Sequence, residues 1–365
     1  MKAIIVGGGI AGLTVALELE KHGYDIVIIE KDFLGKGATW AAGGMLAPQA
    51  EGLDGLFLDL CLKAREYYKD YVKEIEKKSG IDVGYSECGI IVPAFSEDEA
   101  IILNKRINFY KSQNLKASWL SREDIVNMGY AISDKVIGAA YYSDDAQVDN
   151  RLLTNALINL VRKSEKIKIL EKTEVIAIIE KNNLFKSVKL KNGEEIEADI
   201  CVLSAGAWSR TIFDIPVIPV KGEMISIKDK SLKNIFYSSK AYIIPRKNYD
   251  LTLIGATEEK VAFKEGNTVF GIYKLLTGLL DTFPHFNKRF FDMWYSFRPD
   301  TPDHFPIIGK SHIKNLYFAT GYHRNGILLA PYIAKILSDL IHKEEENIYL
   351  KAYDIFRFLK HIPSF

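Results

Sequence analysis

KAIIVGGGIAGLTVALELEKHGYDIVIIE, residues 2–30, reads as a strand, a glycine-rich turn, a helix and a second strand closed by an acid. Gly7, Gly9 and Gly12 form G-x-G-x-x-G directly after the apolar run Ala3 to Val6. Glu30 follows the apolar run Ile26 to Ile29, at about the twenty-residue offset of a dinucleotide fold. Gly7 permits the tight turn, Gly9 lets backbone approach a pyrophosphate, and Gly12 lets helix and strand pack closely. The helix start offers free N–H groups and a positive dipole end to phosphates. Glu30 is placed to accept hydrogen bonds from ribose hydroxyls. Lys2 before an uncharged run also suggests a secretory leader. Three glycines break that run and no small-residue cleavage site precedes Glu18, so a leader is not expected.

The 365 residues are enough for two domains, and 48% hydrophobic with 26% charged residues describes an ordinary globular chain. A formal charge of +1 argues against a nucleic-acid partner. Cys61, Cys88 and Cys201 are odd in number and lack metal-ligand spacing, which suits a reducing compartment and a cytoplasmic location. No uncharged run is long enough for a transmembrane segment.

Residues 31–52, KDFLGKGATWAAGGMLAPQAEG, are too glycine-rich for a stable helix and too apolar for a solvated loop. Such a run lies against a ligand or another backbone. Helical spacing follows over 56–77, 98–113 and 121–128, the last with Ser121 as N-cap, and again over 149–163. Short strands fill 167–203, with Asn192-Gly193 as a hairpin turn. The last of these runs into Ser204-Ala205-Gly206-Ala207-Trp208, a second strand-to-glycine turn. Alternating strands cover 217–253, a helix 267–282, and an apolar helix 325–341.

Four segments together resemble the D-amino acid oxidase family of flavoproteins, and within it the glycine oxidase branch. They are VGGGIAGLTVALEL with Glu30, GATWAAGGMLAPQAE at 37–51, WYSFRPDTPDHFPIIG at 294–309, and ATGYHRNGILLAPYIAKILSDLI at 319–341. YIIPR at 242–246 and LIGAT at 253–257 resemble it too. The resemblance implies FAD and an α/β (α+β) architecture. A Rossmann-like FAD-binding domain would comprise 1–82, 144–212 and 293–365. A mixed, largely antiparallel-sheet substrate domain would comprise 83–143 and 213–292. It places Gly7, Gly9, Ile10, Ala11, Gly12, Glu30 and Lys31 at the adenosine and pyrophosphate. Ala38, Thr39, Gly43, Gly44 and Met45 fall along the ribityl chain and ring, and Val175 meets the adenine through its backbone. Gly206 approaches the same dinucleotide. Tyr322, His323, Arg324, Asn325, Gly326, Ile327 and Leu328 wrap the flavin. A helix starting near Asn325 would favour an anionic reduced flavin by about 0.3–1 kcal/mol, or about 2 when partly buried. Read from the residues alone, a core helix with a glycine turn is as good an account.

An amino acid oxidase must anchor a carboxylate and exclude water, because the cofactor carries the redox chemistry. A guanidinium suits that anchor through two parallel N–H bonds. Arg298 matches the family's carboxylate-binding arginine; the competing reading is an ion pair with Asp300 or Asp303. Tyr242 would add a hydroxyl or simply pack in a strand. Arg324 would touch substrate, flavin or both, and Met45 would line the pocket. His323 is read as a flavin neighbour, since hydride loss from a neutral amine needs no base, and no residue is assigned as a catalytic acid or base. Trp208 and Trp294 are read as core aromatics. Two departures from the branch stand out: Glu258 where an apolar pocket residue is expected, and Trp40 in place of a small one. No cysteine lies near Ser296 or His323, so FAD is expected to be noncovalent. The resemblance implies oxidation of glycine, with molecular oxygen as acceptor, in the thiazole branch of thiamine synthesis. The alternatives are a D-amino acid, sarcosine or proline dehydrogenase feeding a quinone or partner subunit, and a non-enzymatic dinucleotide-binding protein. A homo-oligomer is compatible with the sequence.

Overall fold

A computed structural model describes residues 1–359; the expected domain segment 293–365 therefore extends outside the described residues at 360–365. The opening segment forms the strand Lys2–Val6, the helix Ile10–Lys21 and the strand Asp25–Ile29, as its pattern requires. Lys2–Val6 lies inside a six-stranded sheet. The order is Ile307–Lys310, Leu316–Thr320, Ile200–Leu203, Lys2–Val6, Asp25–Ile29, Ile167–Leu170. All neighbours are parallel except the first pair. Such strands are apolar on both faces because both are covered. Ala3 and Ile5 join the core beneath the helices, whereas Ile4 and Val6 join Phe185 and Val188 of a three-stranded sheet on the other side. That smaller sheet contains the Asn192-Gly193 turn, with Gly193 at φ +93°.

A second, eight-stranded sheet runs from Arg289–Asp300 through Ile218–Lys228, Thr252–Gly255, Tyr242–Pro245, Ile235–Tyr237, Ile90–Ala94 and Gly138–Tyr142 to Ser118–Ser121. Its pairs are antiparallel apart from Ile235–Tyr237 beside Ile90–Ala94. The helix Val269–Thr282 covers one face through Leu275 and Leu279. The expected boundary at 293 falls inside Arg289–Asp300, which stays hydrogen-bonded to Ile218–Lys228 as far as Asp300. The glycine-rich run after Glu30 was read as non-helical; it holds one helical turn, Ala38–Ala41, and a two-residue strand, Met45–Leu46. Ser121 caps its helix through a capping box, and Asp149 caps Asn150–Lys163.

Lys221 and Glu223 form an ion pair at 2.8 Å with both side chains fully buried. Glu223 also accepts hydrogen bonds from the Thr268 N–H and hydroxyl, each at 3.0 Å. Removing one partner leaves a buried charge uncompensated, so Lys221→Met is expected to cost about 3–5 kcal/mol. The double change Lys221→Met with Glu223→Leu is expected to regain most of it. Denaturant unfolding of the two variants measures the difference, and a single variant as stable as its parent would refute it.

Candidate active site

The two sheets enclose a cavity of about 480 Å³ lined by the glycine-rich turn, the 36–45 run, the 204–208 turn, the strand end 295–299 and the 322–327 segment. Each contributor is held by identifiable bonds. Gly7 has φ +106°, and a Cβ there would lie 2.5 Å from the Ser204 carbonyl oxygen. The Ser204 hydroxyl donates to the Gly7 carbonyl at 3.1 Å, clamping the second turn onto the first. The Glu30 carboxylate accepts from the Gly8 N–H at 2.7 Å and the Asp32 N–H at 2.9 Å. Thr39 accepts from the Ile10 N–H at 3.0 Å.

The 38–45 run is tied from outside. Asn150 donates its amide to the Thr39 and Trp40 carbonyls at 2.7 and 3.0 Å, and Arg246 donates to Asn150 at 2.6 Å. Gly44, at φ +75°, leaves no room for a side chain: a Cβ would sit 2.1 Å from the Val148 carbonyl oxygen. Trp40 points away from the cavity. Its ring lies edge-on to Trp294 at 5.8 Å, with the Arg151 guanidinium 3.7 Å above it.

Neither helix that starts at this cavity is capped by the side chain of its own N-cap residue, although Thr39 takes the Ile10 N–H. Gly9 precedes Ile10–Lys21 and Asn325 precedes Gly326–Lys343. The first turns of both line the wall. Two positive helix ends in one cleft suit a diphosphate at one and a delocalised anion at the other. The glycines between them let backbone reach a ligand. This donor set fits a flavin dinucleotide, with apolar Met45, Met224 and Ile327 on the wall as well.

At the far end, Arg298 crosses Gly222 of the adjoining strand. A Cβ at 222 would lie 2.4 Å from an Arg298 terminal nitrogen. Arg298 donates to the Thr257 carbonyl at 3.0 Å. Among the described residues it has no acidic partner within 4.0 Å. Asp300 instead meets His304 at 2.8 Å, and Asp303 takes Arg357 at 2.7 Å, so the competing ion-pair reading does not describe the structure. Tyr242 stacks on Tyr237 at 5.1 Å and lines the cavity. Arg324 is already paired with Glu258. His323 lies 3.9 Å from both Glu258 and Asp300, and its Nε2 is buried without a partner. Burial lowers its imidazole to about 4, so it is neutral at pH 7. Burial also raises the Glu51 carboxyl, which accepts from the Asn325 amide at 3.2 Å.

Three expected cofactor neighbours lie off the wall. Gly12 faces the strand, where a Cβ would be 1.9 Å from the Gly7 carbonyl oxygen. Asn325 turns to Glu51, and Leu328 is buried in the helix-side core. The other sequence-derived candidates line one cavity: Gly7, Gly9, Ile10, Ala11, Glu30, Lys31, Ala38, Thr39, Gly43, Gly44, Met45, Val175, Gly206, Tyr242, Arg298, Tyr322, His323, Arg324, Gly326 and Ile327. Trp294 is a core aromatic, donating its indole N–H to Ala41 at 3.0 Å. Trp208 is not: it lines the cavity, under the Lys31 ammonium at 3.2 Å and stacked on Phe263 at 5.0 Å. Its place beside the 204–207 turn was the available signal. Glu51 was missed because no local pattern marks it.

A family model for FAD dependent oxidoreductases matches residues 2–340, and the chain belongs to that family, the D-amino acid oxidase type. Within it, the bifunctional protein ThiO/ThiG of Nostoc is 34% identical across 98% of this chain and 55% of its own length. This chain thus spans about half of that relative. Glycine oxidase of Bacillus subtilis is 30% identical across 98% of this chain and 97% of its own. The solved glycine oxidase of Geobacillus kaustophilus superposes with a TM-score of 0.92 at 29% identity, covering 99% and 98% of the two chains. Among the described residues no helix is long and apolar enough to cross a membrane.

Proposed function

We propose that this chain oxidises glycine, and to a lesser degree other small amino acids, to the imine, which water converts to glyoxylate and ammonia. Arg298 carries this reading: a guanidinium without an acidic partner among the described residues, on the wall of the cavity that Tyr242 also lines. FAD, when bound, accepts the two electrons. The Gly9 helix start and Glu30 would hold its adenosine half, and the Gly326 helix start its ring. Arg298 fixes the substrate carboxylate with two N–H bonds, Tyr242 adds a hydroxyl, and Met45 excludes water. With the carboxylate fixed, Cα is held in one place in the cavity, and orientation of this kind is a large part of catalysis. His323 is uncharged and buried, so it keeps a second positive charge away from the amine. Residues 1–82, 144–212 and 301–359 form the cofactor domain in this reading, and 83–143 with 213–300 the substrate domain.

Molecular oxygen is the proposed acceptor, giving hydrogen peroxide. The proposal extends to a role in making the thiamine thiazole, which the family resemblance implies. Three unpaired thiols support a cytoplasmic location. None of them lines the cavity, which supports noncovalent FAD: acid precipitation is expected to leave the yellow colour in solution. Anaerobic mixing with glycine, sarcosine, D-alanine and proline tests the activity. Glycine is expected to bleach the flavin and, once air is admitted, to yield peroxide. No bleaching with any amine would refute the proposal, and bleaching without peroxide would mean a dehydrogenase.

A further inference from the structure

We propose that Glu258 determines which substrates this site accepts: by pairing with Arg324 it cancels the second guanidinium and excludes ligands that carry a second carboxylate. The inference rests on the carboxylate-anchor reading of Arg298 above.

Two guanidinium groups reach the cavity, and they differ in one respect. Among the described residues Arg298 has only a carbonyl partner, whereas Arg324 donates to the Glu258 carboxylate. Behind that pair lies a second cavity of about 420 Å³, whose wall carries Glu99 and Glu258, the cations Arg106, Lys240 and Lys274, and Tyr237. Glu51, Tyr242, Ala256 and Arg324 line both cavities, so Arg324 stands where they adjoin. Glu258 lines only the outer one. A ligand anchored on Arg298 and longer than glycine would extend past Arg324 toward the outer space. An apolar extension meets the Tyr237–Tyr242 stack. Where the cavities adjoin, an anionic extension meets an arginine whose charge is already answered and a carboxylate that repels it, whereas Arg106, Lys240 and Lys274 line only the outer space. Like charge at short range disfavours the ionised ligand. The pair is about one-third exposed on each side, 34% and 35%, so its selectivity depends on charge and not on a locked core. An apolar residue at 258 would leave Arg324 free as a second anchor, and selection would reverse.

The test is titration of the FAD-loaded protein with propionate and succinate, which differ by one terminal carboxylate, read as perturbation of the flavin spectrum. The native protein is expected to bind propionate more tightly than succinate. Glu258→Gln keeps the shape and removes the charge. It is expected to improve succinate relative to propionate by about ten- to a hundredfold, the worth of one charge-assisted hydrogen bond. Glu258→Asp is expected to restore the native order. Succinate binding as tightly as propionate to the native protein would overturn the inference without any variant. So would an unchanged ratio in Glu258→Gln. The readout is binding, so a protein that showed this switch yet failed to oxidise glycine would refute the proposed reaction alone.

Discussion

Arg298→Ala is expected to abolish saturation by carboxylate substrates, with apparent affinity for glycine falling about a hundredfold or more, while FAD stays bound. The size follows from what the guanidinium lacks. A surface arginine answered by an aspartate contributes little, about 0–1 kcal/mol. Arg298 has no such answer among the described residues: Asp300 and Asp303 are taken by His304 and Arg357. Its one hydrogen bond goes to the Thr257 carbonyl, leaving donors directed to the cavity side. A charged hydrogen-bond partner lost from a site that excludes water costs a few kcal/mol, about two orders of magnitude in affinity. The cofactor's proposed contacts lie with the glycine-rich turns and the two helix starts, so flavin content is expected to be unchanged. Steady-state kinetics with flavin quantitation checks both halves. Near-normal saturation would remove Arg298 from the site, and loss of flavin would show a structural role.

Gly12→Val is expected to give a protein that no longer retains FAD and melts well below the native chain. A Cβ at 12 would lie 1.9 Å from the Gly7 carbonyl oxygen and 2.8 Å from the Ser204 hydroxyl. The first of these is backbone, so nothing flexible can yield. The helix Ile10–Lys21 must move off the strand Lys2–Val6, and the core between Leu13, Val15 and Ile5 opens with it. Forcing extra methyl groups into a packed core costs about 1–3 kcal/mol or more. The same displacement moves the Gly9 turn from any phosphate it serves. Thermal unfolding and the flavin content of the purified variant measure the two effects. A variant with native flavin content would show that Gly12 is dispensable.

How much of the site was legible depends on how far apart its parts lie in the chain. The dinucleotide turn was readable because glycine spacing, strand and acid are local, within about thirty residues. The helix at Gly326 was readable for the same reason, and so was the cap at Ser121. The membership of Arg289–Asp300 in the eight-stranded sheet was not, because it is set by pairing with Ile218–Lys228 across a long intervening segment. Trp208 was misjudged because an aromatic after a glycine turn has the same local pattern whether it packs inward or lines a cleft. Glu258 stood out only as an unexpected acid. Its partner is 66 positions away.

Arg298 and Arg324 came forward as substrate-end candidates only through the family resemblance; by itself the sequence determined a dinucleotide-binding turn, its strand and its helix. These follow from backbone sterics and hydrogen-bond geometry, which act over a few residues. Only the tertiary structure decided that Arg298 has no acidic partner within ion-pair distance among the described residues and that Arg324 has one. Charge compensation is a matter of distances between side chains from separate strands and loops, and folding alone sets those distances.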